Sequence, residues 1–133
     1  MNKEKIFRWC FIGTGKLANI VAKQLKKSKD QKIVSCYSRN EKTGKKFEEK
    51  FHARFHSSIE EAILEEGVDA VYIVTPNNTH YRFAKTALLL GKPVLLEKPF
   101  TMDERECQEL ISLAREKRLY LCEAMWTWFS FSA

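Results

Sequence analysis

Trp9-Cys10-Phe11-Ile12-Gly13-Thr14-Gly15-Lys16-Leu17-Ala18 decides the fold. Its first four residues read as a short buried strand, which Gly13 ends. Leu17, Ile20, Val21 and Leu25 then recur at helical spacing. A G-x-G-x-x-A run between a strand and a helix has a mechanical reading. Gly13 permits the tight turn, Gly15 admits a ligand close to the backbone, and Ala18 lets the helix lie near the sheet. The helix N-terminus then offers unpaired N–H groups and partial positive charge to an anion. This places a dinucleotide pyrophosphate against Gly13, Thr14, Gly15, Lys16 and Leu17. The competing reading is a purely structural turn.

Working outward, strand and helix patterns alternate. Lys32–Tyr37 reads as a second strand, and Asn40 as the N-cap of a helix carrying Phe47 and Phe51, weakened by Gly44. Arg54-Phe55 is a short third strand, and Ser58-Ile59-Glu60-Glu61 a capping box opening a brief helix. Ala70-Val71-Tyr72-Ile73-Val74 is apolar on both faces, as a central parallel strand must be. Asn77 or Asn78 is positioned to cap the next helix, with Phe83, Ala87 and Leu90 on one stripe and Gly91 at its end. Val94-Leu95-Leu96 is a fifth strand. Thr101-Met102-Asp103-Glu104 is a second capping box, before a helix with Cys107, Leu110, Ile111 and Ala114 inward, and Leu119–Ala124 is a sixth strand. Such alternation predicts an α/β fold, a doubly wound parallel sheet of order 3-2-1-4-5-6, the Rossmann arrangement.

Composition narrows the classes. With 133 residues, 44% hydrophobic and 30% charged, the chain fits one soluble domain with a real core. It lacks a membrane-length apolar run, and a cytoplasmic location is expected. The four cysteines (Cys10, Cys36, Cys107, Cys122) have neither Cys-x-x-Cys nor zinc spacing, and His52, His56 and His80 do not complete one. Buried free thiols are expected and no metal. Residues 1–52 carry 14 Lys+Arg against 5 Asp+Glu, while residues 53–133 carry 9 against 12. The lysines fall on predicted helix faces without interleaved aromatics, which reads as a solvated face or a field for a polyanionic cofactor, and not as a nucleic-acid surface.

Ligands of such sheets bind beyond the carboxyl ends of the strands. At the end of the second strand an NAD site places an acid for the ribose 2′-hydroxyl; here stand Ser38-Arg39-Asn40, with Lys42 and Lys45 nearby. A hydroxyl and a guanidinium suit a 2′-phosphate, so NADP is expected rather than NAD. Thr75-Pro76-Asn77-Asn78-Thr79-His80 opens at the same crevice. Either Thr75, Asn77 and His80 meet the nicotinamide ribose, or Asn77 and Thr79 cap the helix and His80 satisfies a backbone group. Glu97-Lys98-Pro99 closes the fifth strand, and the proline biases Lys98 toward extended backbone that leaves the sheet edge. Lys98 is the candidate catalytic residue for proton transfer. Glu97 is placed to orient the ammonium or hold the cofactor ribose.

Gly13-x-Gly15-x-x-Ala18, Thr75-Pro76-Asn77-x-x-His80 and Glu97-Lys98-Pro99, in that order, resemble the N-terminal domain of the glucose–fructose oxidoreductase/inositol dehydrogenase (Gfo/Idh/MocA) family over residues 6–129. Glu123-Ala124-Met125-Trp126-Thr127-x-Phe129 is similar to the branch holding dimeric dihydrodiol dehydrogenase and NADP-dependent xylose dehydrogenases, with Trp128 where that branch usually has arginine. The resemblance implies NADP-dependent hydride transfer on a secondary alcohol or carbonyl of a polyol, sugar or diol. It implies that Lys98 contacts substrate and cofactor, and that Ser38-Arg39 hold the NADP phosphate. Family members continue into a long α/β substrate domain. Residues 1–133 are therefore expected to be the dinucleotide-binding domain, with a core over 6–125. Residues 126–133 would begin a truncated crossover to an absent C-terminal substrate domain, as an apolar tail prone to association. On this reading the chain alone lacks full activity, and the alternative is a catalytically inert dinucleotide-binding fragment.

Overall fold

A computed structural model of the chain describes residues 5–98 and 103–124. Six parallel strands form one sheet: β1 (Phe7–Ile12), β2 (Gln31–Tyr37), β3 (Arg54–His56), β4 (Ala70–Ile73), β5 (Val94–Glu97) and β6 (Leu121–Ala124). Their order is β3-β2-β1-β4-β5-β6, as the alternation predicts. The helices between them are α1 (Lys16–Lys26), α2 (Glu41–Phe51), α3 (Ile59–Ile63), α4 (His80–Leu89) and α5 (Glu104–Lys117).

Two apolar clusters sandwich the sheet. On one face Phe11, Cys36 and Tyr72 pack with Ala18, Val21, Ala22 and Leu25 of α1 and Phe47 of α2. On the other, Ile12, Val71, Ile73 and Leu96 meet Ile63 of α3, Phe83, Ala87 and Leu88 of α4, and Leu110 and Ala114 of α5. Strands apolar on both sides are what two layers of helix require. Every residue of β4 is buried.

Register aligns the carboxyl ends. Ile12 stands opposite Tyr37 on one side and Ile73 on the other, and Ile73 opposite Leu96. Gly13 N–H donates to the Tyr37 carbonyl, and Val74 N–H to that of Ile12, both at 2.9 Å. The residues leaving these strands therefore emerge along one edge.

Several local expectations are corrected. Ile20 is 40% exposed, because Ala18 and Ala22 supply the closer contact to the sheet. The N-cap of α5 is Asp103, whose carboxylate accepts from Glu106 N–H at 2.8 Å; Thr101 lies outside the described residues. Neither Asn77 nor Asn78 caps α4: a 3-10 turn over Asn77–Thr79 feeds directly into it. Gly44 is a packing requirement, since a Cβ there would lie 2.3 Å from the Phe55 ring, and it lets α2 close on β3. Asn40 and Ser58 do cap α2 and α3, accepting from Thr43 and Glu61 N–H.

The thiols divide by exposure. Cys10 and Cys36 are buried, and burial pushes both up to about 12, but Cys122 is exposed on β6 and not buried as expected. A thiol-exchange reagent at pH 8 is therefore expected to modify Cys122 quickly, and Cys10 and Cys36 only after denaturation. Fast modification of either buried thiol in the folded chain would contradict this packing. No helix among the described residues is long and apolar enough to cross a membrane. The tail at 126–133 lies outside the described residues.

Candidate cofactor-binding site

The turn after β1 is built as its glycines demand. Gly13 has φ +113°, and a Cβ on it would fall 2.8 Å from the Val74 carbonyl oxygen. Only glycine takes that conformation against a neighbouring strand without strain. A Cβ on Gly15 would meet no atom within 4 Å, so the space above the α1 N-terminus is open. Gly15 is the N-cap of α1, with no side-chain cap and no acid in the first turn. The first N–H groups of this helix thus keep their capacity for an external anion. Asn19 steadies the turn by donating from Nδ2 to the carbonyls of Thr14 (3.1 Å) and Gly15 (2.8 Å).

A cleft of about 550 Å³ extends from this turn along the carboxyl edge. Gly13, Thr14 and Gly15 line it, with Ser38 and Arg39 from the end of β2 and Thr75 and Pro76 from the end of β4. Its polar wall is a chain of hydroxyls. Thr43 Oγ1 lies 3.1 Å from both Thr14 Oγ1 and Ser38 Oγ, and donates to the Asn40 carbonyl. Asn40 N–H in turn donates to Ser38 Oγ at 3.1 Å. The glycine turn and the end of β2 are therefore locked together through the first turn of α2.

Arg39 and Arg82 are the charged residues of this lining, and no acid lies among the described residues that form it. The Arg82 guanidinium sits 4.9 Å from the centroid of Phe83, whose ring meets Tyr37 edge-on at 5.8 Å. A neighbouring groove of about 320 Å³ between α1 and α2 carries Lys16, Lys46 and Lys50. The field at this end of the edge is positive, as a polyanionic ligand requires.

The remaining candidates occupy different places. Leu17 is half-buried in the first turn of α1, and Asn77 is exposed in the 3-10 turn. His80 is only 1% exposed, with Nε2 at 2.9 Å from the Thr75 carbonyl, so its ring braces the loop from inside. Thr75 and Thr79 hydroxyls meet at 2.6 Å across the same loop. Glu97 is buried at the end of β5, and Lys98 follows it exposed. From β2 to β5 the edge spans three strand spacings, about 14 Å. Ser38-Arg39, the glycine turn, Thr75 and Lys98 succeed one another along it. Pro99 lies outside the described residues.

The sequence pattern does not single out Thr43 and Arg82, which line the cleft, or the Tyr72 hydroxyl. Thr43 carried the one available signal, a hydroxyl three residues after an N-cap Asn. Arg82 was hidden beside the apolar stripe of α4. Tyr72 read as core, yet its hydroxyl donates to Glu97 Oε2 at 2.6 Å.

A parallel sheet with a glycine-turned α1 and a basic, hydroxyl-lined cleft defines a nucleotide-binding α/β domain. The family model described as "Oxidoreductase family, NAD-binding Rossmann fold" (GFO_IDH_MocA) matches residues 7–124, and the chain belongs to that family. D-xylose 1-dehydrogenase (NADP(+)) of Hypocrea jecorina is 40% identical over 70 residues, 53% of this chain and 18% of that protein. Human trans-1,2-dihydrobenzene-1,2-diol dehydrogenase is 31% identical over 126 residues, 92% of this chain and 37% of its own length. A 3-ketoreductase from Actinomadura kijaniata, solved in complex with NADP and TDP-benzene, superposes with a TM-score of 0.84 at 30% identity, covering 90% of this chain and 37% of that one. The chain thus spans less than two-fifths of the length of these relatives.

Proposed function

We propose that this chain binds NADP(H) as the cofactor domain of an oxidoreductase that moves a hydride between nicotinamide and a secondary alcohol or carbonyl. The observation that carries the reading is the acid-free end of β2, where buried Ser38 and exposed Arg39 line the cleft that begins at the glycine turn. The NADP named for the xylose dehydrogenase and the ketoreductase supports the cofactor. Sugar and diol names among the relatives support a polyhydroxylated or diol substrate.

In this reading the α1 N-terminus and the Gly13–Leu17 turn hold the pyrophosphate. Ser38 and Arg39 take the adenosine 2′-phosphate, the guanidinium by charge-assisted hydrogen bonds. Thr75 and Asn77 border the nicotinamide ribose, and His80 keeps their loop in shape. Bound NADP supplies the hydride chemistry. Lys98 holds or releases the proton at the substrate oxygen, and Glu97 stands beside it. We assign residues 7–124 to one dinucleotide-binding unit, and substrate selection to residues outside the 133 of this chain.

The test, on a polypeptide that joins residues 1–133 to a segment that selects substrate, is oxidation of a panel of polyols, aldoses and vicinal diols with NADP+, followed by the absorbance of reduced nicotinamide. Lys98→Met is expected to lower kcat by about 10²–10⁴-fold. NADPH affinity should stay within about threefold of wild type. No turnover with any panel member, combined with no cofactor binding, overturns the reading.

A further inference from the structure

Tyr72 and Glu97 form a polar pair inside an otherwise apolar face of the sheet. Tyr72, in the centre of β4, is 1% exposed and packs edge-on against Phe11 at 4.9 Å. Glu97 is 7% exposed and ends β5, opposite Ala124 of β6. A carboxylate withdrawn from water needs donors to stay ionised, and a short bond from a hydroxyl is among the strongest available. The phenol is suited to that task, since burial, then the bond to Glu97, pushes its pKa far up and keeps it a donor. A phenylalanine would fill the same ring space and bury no polar atom, so packing alone does not account for the hydroxyl. Glu97 is also the last strand residue before Lys98, on the half of the carboxyl edge away from Ser38-Arg39.

We propose that Tyr72 is a positioning residue that acts through Glu97, its hydroxyl fixing the carboxylate for the nicotinamide half of the cofactor. The inference rests on the cofactor reading above. The adenosine half of the ligand lies over β1 and β2, out of reach of the pair, whereas the nicotinamide ribose, a diol, presents hydroxyl donors to a fixed acceptor at the β5 end. Loss of the Tyr72 hydroxyl leaves the carboxylate free to rotate, and the fixed acceptor is then lost.

Two probes separate the halves: NADPH, and 2′,5′-ADP, which carries the adenosine end alone. In Tyr72→Phe, NADPH affinity is expected to fall about three- to tenfold, the ordinary net worth of one hydrogen bond. The emission of bound reduced nicotinamide should move toward its value in water, and 2′,5′-ADP should bind within about twofold of wild type. Added to Glu97→Gln, Tyr72→Phe should cost nothing further, since both act on one contact. Should Tyr72→Phe fail to fold, Glu97→Gln carries the test by the same contrast between probes. Equal losses for both probes, an undiminished NADPH affinity, or a full additional loss in the double variant overturns the inference alone. A wild-type chain that binds neither probe overturns the cofactor reading together with it.

Discussion

Arg39→Glu is expected to weaken NADPH binding by about 100-fold and to leave NADH binding within about threefold. The substitution removes charge-assisted hydrogen bonds to a phosphate, worth about 1.5–3 kcal/mol, and sets an acid against a dianion. At about 1.4 kcal/mol per factor of ten, those effects together reach two orders of magnitude. Arg39 is exposed at the cleft wall and makes no ion pair among the described residues, so the fold should tolerate the change. Calorimetric titration of both cofactors measures it. Equal losses for NADPH and NADH would mean that Arg39 serves the whole dinucleotide and does not recognise the 2′-phosphate.

Gly13→Val is expected to have the largest effect on the fold itself. A β-branched residue would be forced to φ +113° with its Cβ 2.8 Å from the Val74 carbonyl. Backbone strain of this kind costs about 1–3 kcal/mol, and the clash adds to it. The carbonyl belongs to the neighbouring strand's exit and has no flexible end that could give way. Each kcal/mol lowers Tm by roughly 2–8 °C in a domain of this size range, so a drop of about 10 °C is expected, with cofactor binding lost. Thermal denaturation followed by circular dichroism reads the first effect. A variant with unchanged Tm would show that the turn has another conformation.

The sheet was legible because its signals are local. β4 is apolar on both faces, and Gly13 and Gly91 mark turns that need positive φ. Strand order followed from the handedness of parallel crossovers, which leaves few alternatives once the glycine turn is placed. Helix faces were less legible where small residues do the packing. Ala18 and Ala22 carry little hydrophobic signal, yet they set the distance of α1 from the sheet and turn Ile20 outward.

Of the site, the residues leaving strand ends could be read: Gly13, Gly15, Ser38, Arg39 and Thr75 do meet in one cleft. What could not be read is side-chain geometry between elements distant in sequence. The Thr14–Thr43–Ser38 hydroxyl chain joins α2 to two different strand ends. The Tyr72–Glu97 bond spans 25 positions, and neither partner's own surroundings in the sequence announces it. For His80 the sequence left both a ligand contact and a bond to a backbone group open, and the fold takes the second, turning its ring onto the Thr75 carbonyl.

The measurement that bears most directly on the cleft is fluorescence titration of the purified 133-residue chain with NADPH and, in parallel, NADH, its folding verified by circular dichroism. Saturable binding at least about tenfold tighter for NADPH is the predicted result, one phosphate's charge-assisted contacts being worth that much. A folded chain that binds NADH as tightly as NADPH, or binds neither, would contradict it.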